Sequence, residues 1–150
     1  MDEERLPLVD PELVLQCQEE YQSFFNSGTQ EELDAARFRL VWSQVHSTDL
    51  KHAERGSSIA RAKLQDLKDV RLKDYKEYAF LLAVACYRLG KYVEARRLLK
   101  QVLQAHPDFH QADHLRSRVD EQIMREGLWG VGVGTAVLGV GLAVLFGSRR

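Results

Sequence analysis

The sequence contains few of the residues that interrupt helices or build disulfide frameworks. Only three of its 150 residues are proline and only two are cysteine, and β-branched residues nowhere alternate with polar ones. Proline lacks an N–H and clashes with the preceding helical turn, so its scarcity and the missing strand pattern together predict a helical protein. Cys17 and Cys86 each lie among apolar neighbours. They are predicted to be reduced core residues of a cytosolic domain, and a reactive thiol is the less favoured alternative.

An excess of charge of either sign is also missing, because 21 Lys and Arg stand against 22 Asp and Glu, for a net charge of −1. A chain with so little net charge has no field that attracts nucleic acid, so none is predicted as a partner. No glycine-rich loop follows a strand, and no nucleophile is paired with a base in the pattern. The sequence therefore predicts no enzyme, no cofactor and no small-molecule substrate.

Two histidines provide the one pattern that suggests a metal. His110 and His114 are four residues apart, a spacing that places two imidazoles on one helical face. A third ligand on that face is missing, and His106 lies beyond the helix break at Pro107. A solvated helix face is the better interpretation, so no metal site is predicted.

A long hydrophobic run is present near the C-terminal end of the sequence, at residues 128–146, and it holds no charge, proline, asparagine or glutamine. As a helix rising about 1.5 Å per residue it would extend roughly 29 Å, close to the hydrocarbon thickness of a bilayer. A buried core helix is the alternative, but such helices normally carry a polar stripe. We therefore predict a transmembrane tail anchor at 127–147, a basic tail at 148–150, and a cytosolic location for everything before them. The residues assigned to the anchor are Leu128, Trp129, Gly130, Gly134, Val137, Gly141 and Phe146, and Arg149 and Arg150 form the targeting tail.

The glycines of this anchor allow two interpretations. Gly130, Gly134 and Gly141 lie on one side of a helix, and a small-residue face of this kind can pack anchor against anchor in a homo-oligomer. The alternative is that the glycines only keep the segment mildly hydrophobic. The sequence favours neither.

Start and stop signals divide the rest of the chain into an arm at 1–9 and a helical domain at 10–126. Asp10 with Pro11, and Thr29 with Glu32, are typical of helix N-termini. The pattern predicts six helices joined by short turns, an antiparallel all-α array. Helices one and two run from Pro11 to Gly28 and from Thr29 to about His46. Helices three and four run from Leu50 to Leu67 and from Asp74, with Glu77 completing a capping box, to Leu89. Helices five and six run from Tyr92 to Ala105 and from Asp108 to the anchor.

Helices four and five match the spacing of a tetratricopeptide repeat over 34 residues, 76–109. Gly90 permits a left-handed turn between the two helices, and Ala95 is small where they cross. Helices two and three form a second, degenerate copy, in which Ala53, Gly56 and Ala60 permit close approach. The positions that carry the repeat are Leu82, Ala83, Gly90, Tyr92, Glu94, Ala95 and Pro107.

With these features taken together, the chain resembles the mitochondrial fission 1 protein family. The likeness is carried by residues 78–89, 92, 94–95, 103–107 and 111–112, and by the residues 125–130 that lead into the anchor. Further matches are Phe38, Trp42, Val45, Ser47 and Gly56. The resemblance implies a cytosol-facing adaptor on the outer membrane of mitochondria, and on peroxisomes. It also implies recruitment of a dynamin-related GTPase or its adaptor proteins, through a concave groove that binds partner helices or the protein's own arm.

The repeat register predicts which side chains line this groove. They are Phe38, Val41 and Val45 of helix two and Glu77, Phe80, Val84 and Arg88 of helix four. A tail-anchored co-chaperone or import receptor is the alternative function. Such a receptor binds a chaperone carboxylate with clustered Lys, Arg and Asn, whereas the predicted lining is mostly apolar with one base. The composition of the groove therefore favours the adaptor.

Overall fold

The computed structural model describes residues 5–127. These residues form six α-helices in an antiparallel array, as predicted, in which each helix packs on the next. Helix α2 also packs on α4, and α4 on α6, so α2, α4 and α6 form one layer and α3 and α5 lie behind it. The helices are α1 (Pro11–Ser27), α2 (Gln30–His46), α3 (Leu50–Leu67), α4 (Lys73–Arg88), α5 (Tyr92–Ala105) and α6 (His110–Arg125).

The predicted anchor at 127–147 and the basic tail at 148–150 lie outside the described residues, except for Gly127. Within 5–127, none of the helices has the length and apolar character needed to cross a membrane.

The first two helices begin where their sequence signals indicate. Asp10 Oδ1 accepts a hydrogen bond from Glu12 N at 2.9 Å, and Pro11 occupies the first turn. Thr29 and Glu32 form a reciprocal capping box, with Glu32 N donating to Thr29 Oγ1 at 3.2 Å and Thr29 N donating to Glu32 Oε2 at 2.8 Å. Each cap satisfies backbone donors that have no partner inside the helix.

Two predicted helix starts are wrong. Helix α4 begins at Lys73, so Asp74 lies inside its first turn and forms no capping box with Glu77. No side chain caps α4, and the Asp69 carboxylate instead stabilises the preceding turn by accepting hydrogen bonds from the backbone and guanidinium of Arg71. Helix α6 begins at His110, after a turn in which Phe109 N donates to His106 O, and not at Asp108.

The core is centred on α4, where the residues from Leu81 to Cys86 are all buried. Small residues let the neighbouring helices approach it closely. A Cβ added at Gly56 would lie 3.0 Å from both Gln44 Cβ and Val45 Cγ2, so α3 and α2 touch at this point. Gly90 has φ +76°, the left-handed conformation predicted for the α4–α5 turn.

Both cysteines are buried. Burial raises the pKa of the Cys86 thiol to about 11, so this sulfur is protonated at neutral pH. Cys17 lies in a separate small cluster with Val14 and Leu40. The prediction that both are core residues is confirmed.

Candidate partner-binding groove

A groove of about 590 Å³ crosses the layer formed by α2, α4 and α6. Each of these helices contributes one row of side chains, and the N-terminal arm contributes a fourth. Spacings of three and four residues place the members of a row on one helical face. The rows are Phe38, Trp42 and His46 on α2; Lys76, Glu77, Phe80 and Leu81 on α4; Phe109, Gln111, His114, Leu115 and Arg118 at α6; and Arg5, Leu6 and Pro7 in the arm.

Aromatic rings make up much of the groove's lining. The Phe80 and Phe109 rings pack 5.1 Å apart between centroids, and Trp42 packs on His46 at 4.4 Å. Phe38 meets the buried Tyr78 edge-on at 5.4 Å. Burial raises the pKa of Tyr78 to about 12, so its hydroxyl stays neutral behind the groove. The larger part of the lining's surface is therefore apolar, and it is held in place by the core beneath it.

Charged groups border this apolar lining. Lys76 Nζ lies 5.1 Å from the centre of the Phe109 ring, and Glu77 is 3.9 Å from Lys73. The Arg118 guanidinium stands 5.8 Å from the Tyr87 ring. Burial lowers the pKa of His46, and the nearby Arg88 charge lowers it further, so this imidazole is neutral at pH 7.

The arm enters the groove and is fixed by backbone hydrogen bonds at its far end. Val9 N donates to His46 O at 2.9 Å, and Thr48 N donates to Val9 O at 3.0 Å. Leu6, half-buried, packs against the main core. The sequence predicted an arm at 1–9 outside the helical domain, with the groove as a place where it could lie. Leu6 does line the groove, but it also packs against the main core, and Val9 is hydrogen-bonded to the end of α2.

Several residues predicted to line the groove are not on its surface. Phe38, Glu77 and Phe80 do line it, but Val41, Val45 and Val84 have no exposed surface at all. The register prediction is wrong for these three because α4 is enclosed by α2, α3, α5 and α6 and leaves no bare face along its second half.

Arg88 explains why the groove closes toward the end of α4. Its Nη1 donates to Val45 O at 2.6 Å, which joins the ends of α4 and α2. Burial lowers the pKa of this guanidinium. Arg88 thus satisfies a carbonyl at the end of α2 and does not line the groove, contrary to the prediction.

The residues that the prediction missed come from the arm, from α6 and from the remaining row of α2. Trp42 and His46 continue the i, i+4 row that begins at Phe38, so that row could have been extended from the sequence. The contribution of α6 could not be found in this way, because it depends on α6 packing on α4 in the same layer as α2.

Comparison with known proteins agrees with this geometry. Residues 76–128 match the family model described as the Fis1 C-terminal tetratricopeptide repeat. Mitochondrial fission 1 protein A of Arabidopsis thaliana is 30% identical over 140 residues, which cover 93% of this chain and 81% of that protein. Mitochondrial fission 1 protein of Yarrowia lipolytica is 31% identical over 147 residues, which cover 95% of this chain and 92% of that protein.

This chain belongs to the mitochondrial fission 1 protein family. Solved structures support the family's fold for the described helices. The crystal structure of Fis1 from Saccharomyces cerevisiae has a TM-score of 0.66 at 21% identity and covers 81% of this chain and 88% of that one. Yeast Fis1 in complex with an Mdv1 fragment has a TM-score of 0.67 at 21% identity, covering 81% of this chain and 90% of that one.

Proposed function

We propose that this protein is a tail-anchored adaptor on the outer membrane of mitochondria and on peroxisomes. In this role it recruits a dynamin-related GTPase, directly or through an adaptor protein, with residues 5–127 facing the cytosol. The observation that carries the proposal is the groove lined by the Phe38, Trp42, Phe80 and Phe109 side chains, in a chain that belongs to the fission 1 family.

The groove suits an apolar protein segment better than a small polar molecule. Its aromatic side chains are only partly buried, and a helix that laid its apolar face across them would remove this surface from water. The Mdv1 fragment bound by yeast Fis1 supports a protein segment as the ligand for the family. Leu6 and Pro7 already occupy part of the lining, so a partner that takes the whole groove must displace the arm.

The competing function, capture of a chaperone carboxylate, has less support. A carboxylate clamp needs several basic groups together with asparagine. The described lining contains three bases, Arg5, Lys76 and Arg118, and not the single base that the sequence predicted, but it includes no asparagine. Lys76, one of its bases, lies over the Phe109 ring. An extended chaperone tail added as a competitor separates the two functions, because it blocks recruitment only if the groove is a clamp.

The decisive experiment introduces a charge into the groove. Phe80→Glu and Trp42→Glu would each place an unpaired carboxylate against the partner's apolar face. We expect a loss of about 3 kcal/mol or more, which is about a hundredfold in affinity. The readout is recruitment of the dynamin-related GTPase to mitochondria in cells that carry only the variant, with the circular dichroism melt of each variant measured alongside.

The matched control is Phe25→Glu, because Phe25 is an exposed phenylalanine on α1 outside the groove. It should leave recruitment unchanged. If folded Phe80→Glu and Trp42→Glu proteins recruit as well as Phe25→Glu, the groove is not the recruiting surface and the proposal is overturned.

A further inference from the structure

One edge of the domain is formed by one end of each of the six helices. The last helix ends at this edge, and the hydrophobic run follows it in the sequence. We call it the exit edge and define it by Val9, the end of α2 with the start of α3, the end of α4 with the start of α5, and the end of α6. Gly127, with φ +66°, lies two residues after the end of α6, and the hydrophobic run at residues 128–146 begins at the next residue.

A continuous series of contacts shows that these ends lie side by side. Val9 is hydrogen-bonded to His46 and Thr48. The next link, from α4 to α2, is the hydrogen bond from Arg88 to Val45 O. The Tyr87 and Tyr92 rings pack 5.8 Å apart across the α4–α5 turn. Finally, Arg96 Nε lies 2.9 Å from Asp120 Oδ1 and joins the first half of α5 to the second half of α6, which places the start of α5 beside the end of α6.

Each turn of this edge exposes a large apolar side chain. The exposed fractions are 60% for Leu8 in the arm, 47% for Leu50 at the start of α3, 49% for Val93 at the start of α5 and 69% for Met124 at the end of α6. By contrast, the opposite edge exposes only Phe25 and Leu72 among the described large hydrophobic residues. Single exposed apolar side chains are normal on a protein surface, so what distinguishes this edge is their recurrence at four turns beside the segment that leads into the hydrophobic run.

The charges of this edge suit a lipid headgroup layer. Lys51 and Lys91 are exposed, and neither forms an ion pair within the described residues. The nearby acids Asp10 and Asp49 instead accept hydrogen bonds from backbone N–H groups at the starts of α1 and α3, at 2.9 Å each. The edge also carries the exposed carboxylates of Asp10, Asp49 and Glu126, and Lys91 acts electrostatically on Glu94. The lysines therefore provide local contacts for an anionic headgroup layer, and not an overall positive charge on the edge.

We propose that the exit edge docks flat on the bilayer that holds the anchor. This inference rests on the anchor of the proposed function. Met124 lies four residues before Leu128, the first residue of the hydrophobic run. Four residues span roughly 6 Å in a helix and at most about 13 Å when extended, so Met124 is close to the start of the anchor. Such a short connection keeps the edge at a high effective concentration beside the membrane, where weak contacts from four separated side chains suffice.

Docking at this edge would fix the orientation of the groove relative to the membrane. Lys76, Glu77 and Phe80 belong to the first half of α4, and Phe109 and Gln111 to the start of α6. Both helices begin at the edge opposite the membrane and end at the exit edge. The open part of the groove is then held away from the lipid, where a cytosolic partner reaches it.

The test uses the full chain reconstituted in vesicles, with single cysteines that carry an environment-sensitive fluorophore. Cys17 and Cys86 are buried and Cys86 is protonated, so labelling is directed to the introduced thiol. Leu50→Cys is the decisive position, since it lies on the edge yet far along the chain from the anchor. Leu72→Cys is the matched control, because this leucine has a similar exposed fraction, 43%, on the opposite edge. Lys51→Cys replaces Leu50→Cys if the latter fails to fold.

We expect lipids that carry a quencher at headgroup depth to quench the label at Leu50 strongly and the label at Leu72 very little. In vesicles of anionic lipid, Lys51→Glu with Lys91→Glu should reduce the docked-to-undocked ratio, by roughly fivefold for each lysine that is lost. In vesicles of neutral lipid the same pair should have little effect.

Three outcomes would overturn the inference. Equal quenching at Leu50 and Leu72 in an inserted chain means that the edge does not dock. A blue-shifted label at Leu50 that lipid quenchers do not reach, and that responds to protein dilution, means that a second copy covers the edge. Extraction of the chain by alkaline carbonate means that the anchor itself is wrong, and the proposed function then fails together with this inference.

Discussion

The domain has two hydrophobic clusters, and they differ in how completely they are enclosed. The main cluster is built around α4, whose second half has neighbours on all sides, whereas the second cluster consists of Val14, Cys17 and Leu40 between α1 and α2. Helix α1 packs on α2 alone and leaves Leu15 and Phe25 exposed. The difference is the one expected of a stack of helix pairs, in which a terminal helix is covered on one side only.

This arrangement places the binding surface on the better-supported half. Phe80 and Phe109 of the groove lie against the main cluster, so their positions are held by the core. The end helix α1 contributes nothing to the groove's lining. A groove supported in this way is preformed, and binding then costs little ordering of its walls.

The largest expected effect comes from comparing one buried leucine in each cluster. Leu82→Ala removes a side chain of the main cluster, and because α4 is enclosed on every side the cavity cannot collapse. It should lower the free energy of unfolding by about 4 kcal/mol, toward the upper end for such changes. Leu40→Ala should cost nearer 2 kcal/mol, because α1 is free to settle toward α2.

Denaturant unfolding of a chain ending at Gly127 measures both variants. The ratio of the two losses is the quantity of interest. A loss from Leu40→Ala that equals or exceeds the loss from Leu82→Ala would mean that α1 and α2 are as firmly enclosed as the centre, and the comparison of the clusters would be wrong.

The second prediction concerns the loss of stability in acid, because α2 ends in a buried histidine, His46. Burial lowers the pKa of His46 in the folded state below its usual 6.5, so the unfolded chain binds the proton more readily. Above pH 6.5 both states are neutral and the group has no effect. As the pH falls below 6.5, the unfolded state gains the proton first, and stability falls until the folded-state pKa is reached.

His46→Gln should remove this part of the acid sensitivity and leave the rest of the pH profile unchanged. The glutamine keeps a polar group near Trp42 O, which the His46 Nδ1 contacts at 2.8 Å. Unfolding curves of the original and variant chains between pH 7 and pH 5 provide the measurement. Parallel curves would show that His46 titrates normally and that the first half of the domain has no special sensitivity to acid.

Features that depend on local chemistry could be predicted from the sequence, whereas features that depend on tertiary packing could not. Cap residues and glycines act through local chemistry, so the starts of α1 and α2 and the left-handed turn at Gly90 were found correctly. Val84 was assigned to the groove because α4 is apolar on all sides, and a periodic pattern cannot tell which face is covered. The part played by Phe109 depends on tertiary contacts between distant segments, which no spacing in the sequence encodes. A place for the arm in the groove was implied only by the family resemblance.

The smallest expected effect concerns the ion pairs at the two ends of the stack. Arg39 Nη2 lies 2.6 Å from Glu20 Oε1 and joins α2 to α1, and Arg96 Nε lies 2.9 Å from Asp120 Oδ1 and joins α5 to α6. The first pair is largely exposed and the second is half-buried, so each should contribute only about 0.5 to 1 kcal/mol, and less at high salt. Charge-removing variants Arg39→Gln and Arg96→Gln, compared in denaturant at low and high salt, measure this contribution. A loss of more than about 1.5 kcal/mol from Arg39→Gln, insensitive to salt, would show that the bidentate pair with Glu20, and not Val14 and Leu40, is what holds α1 in place.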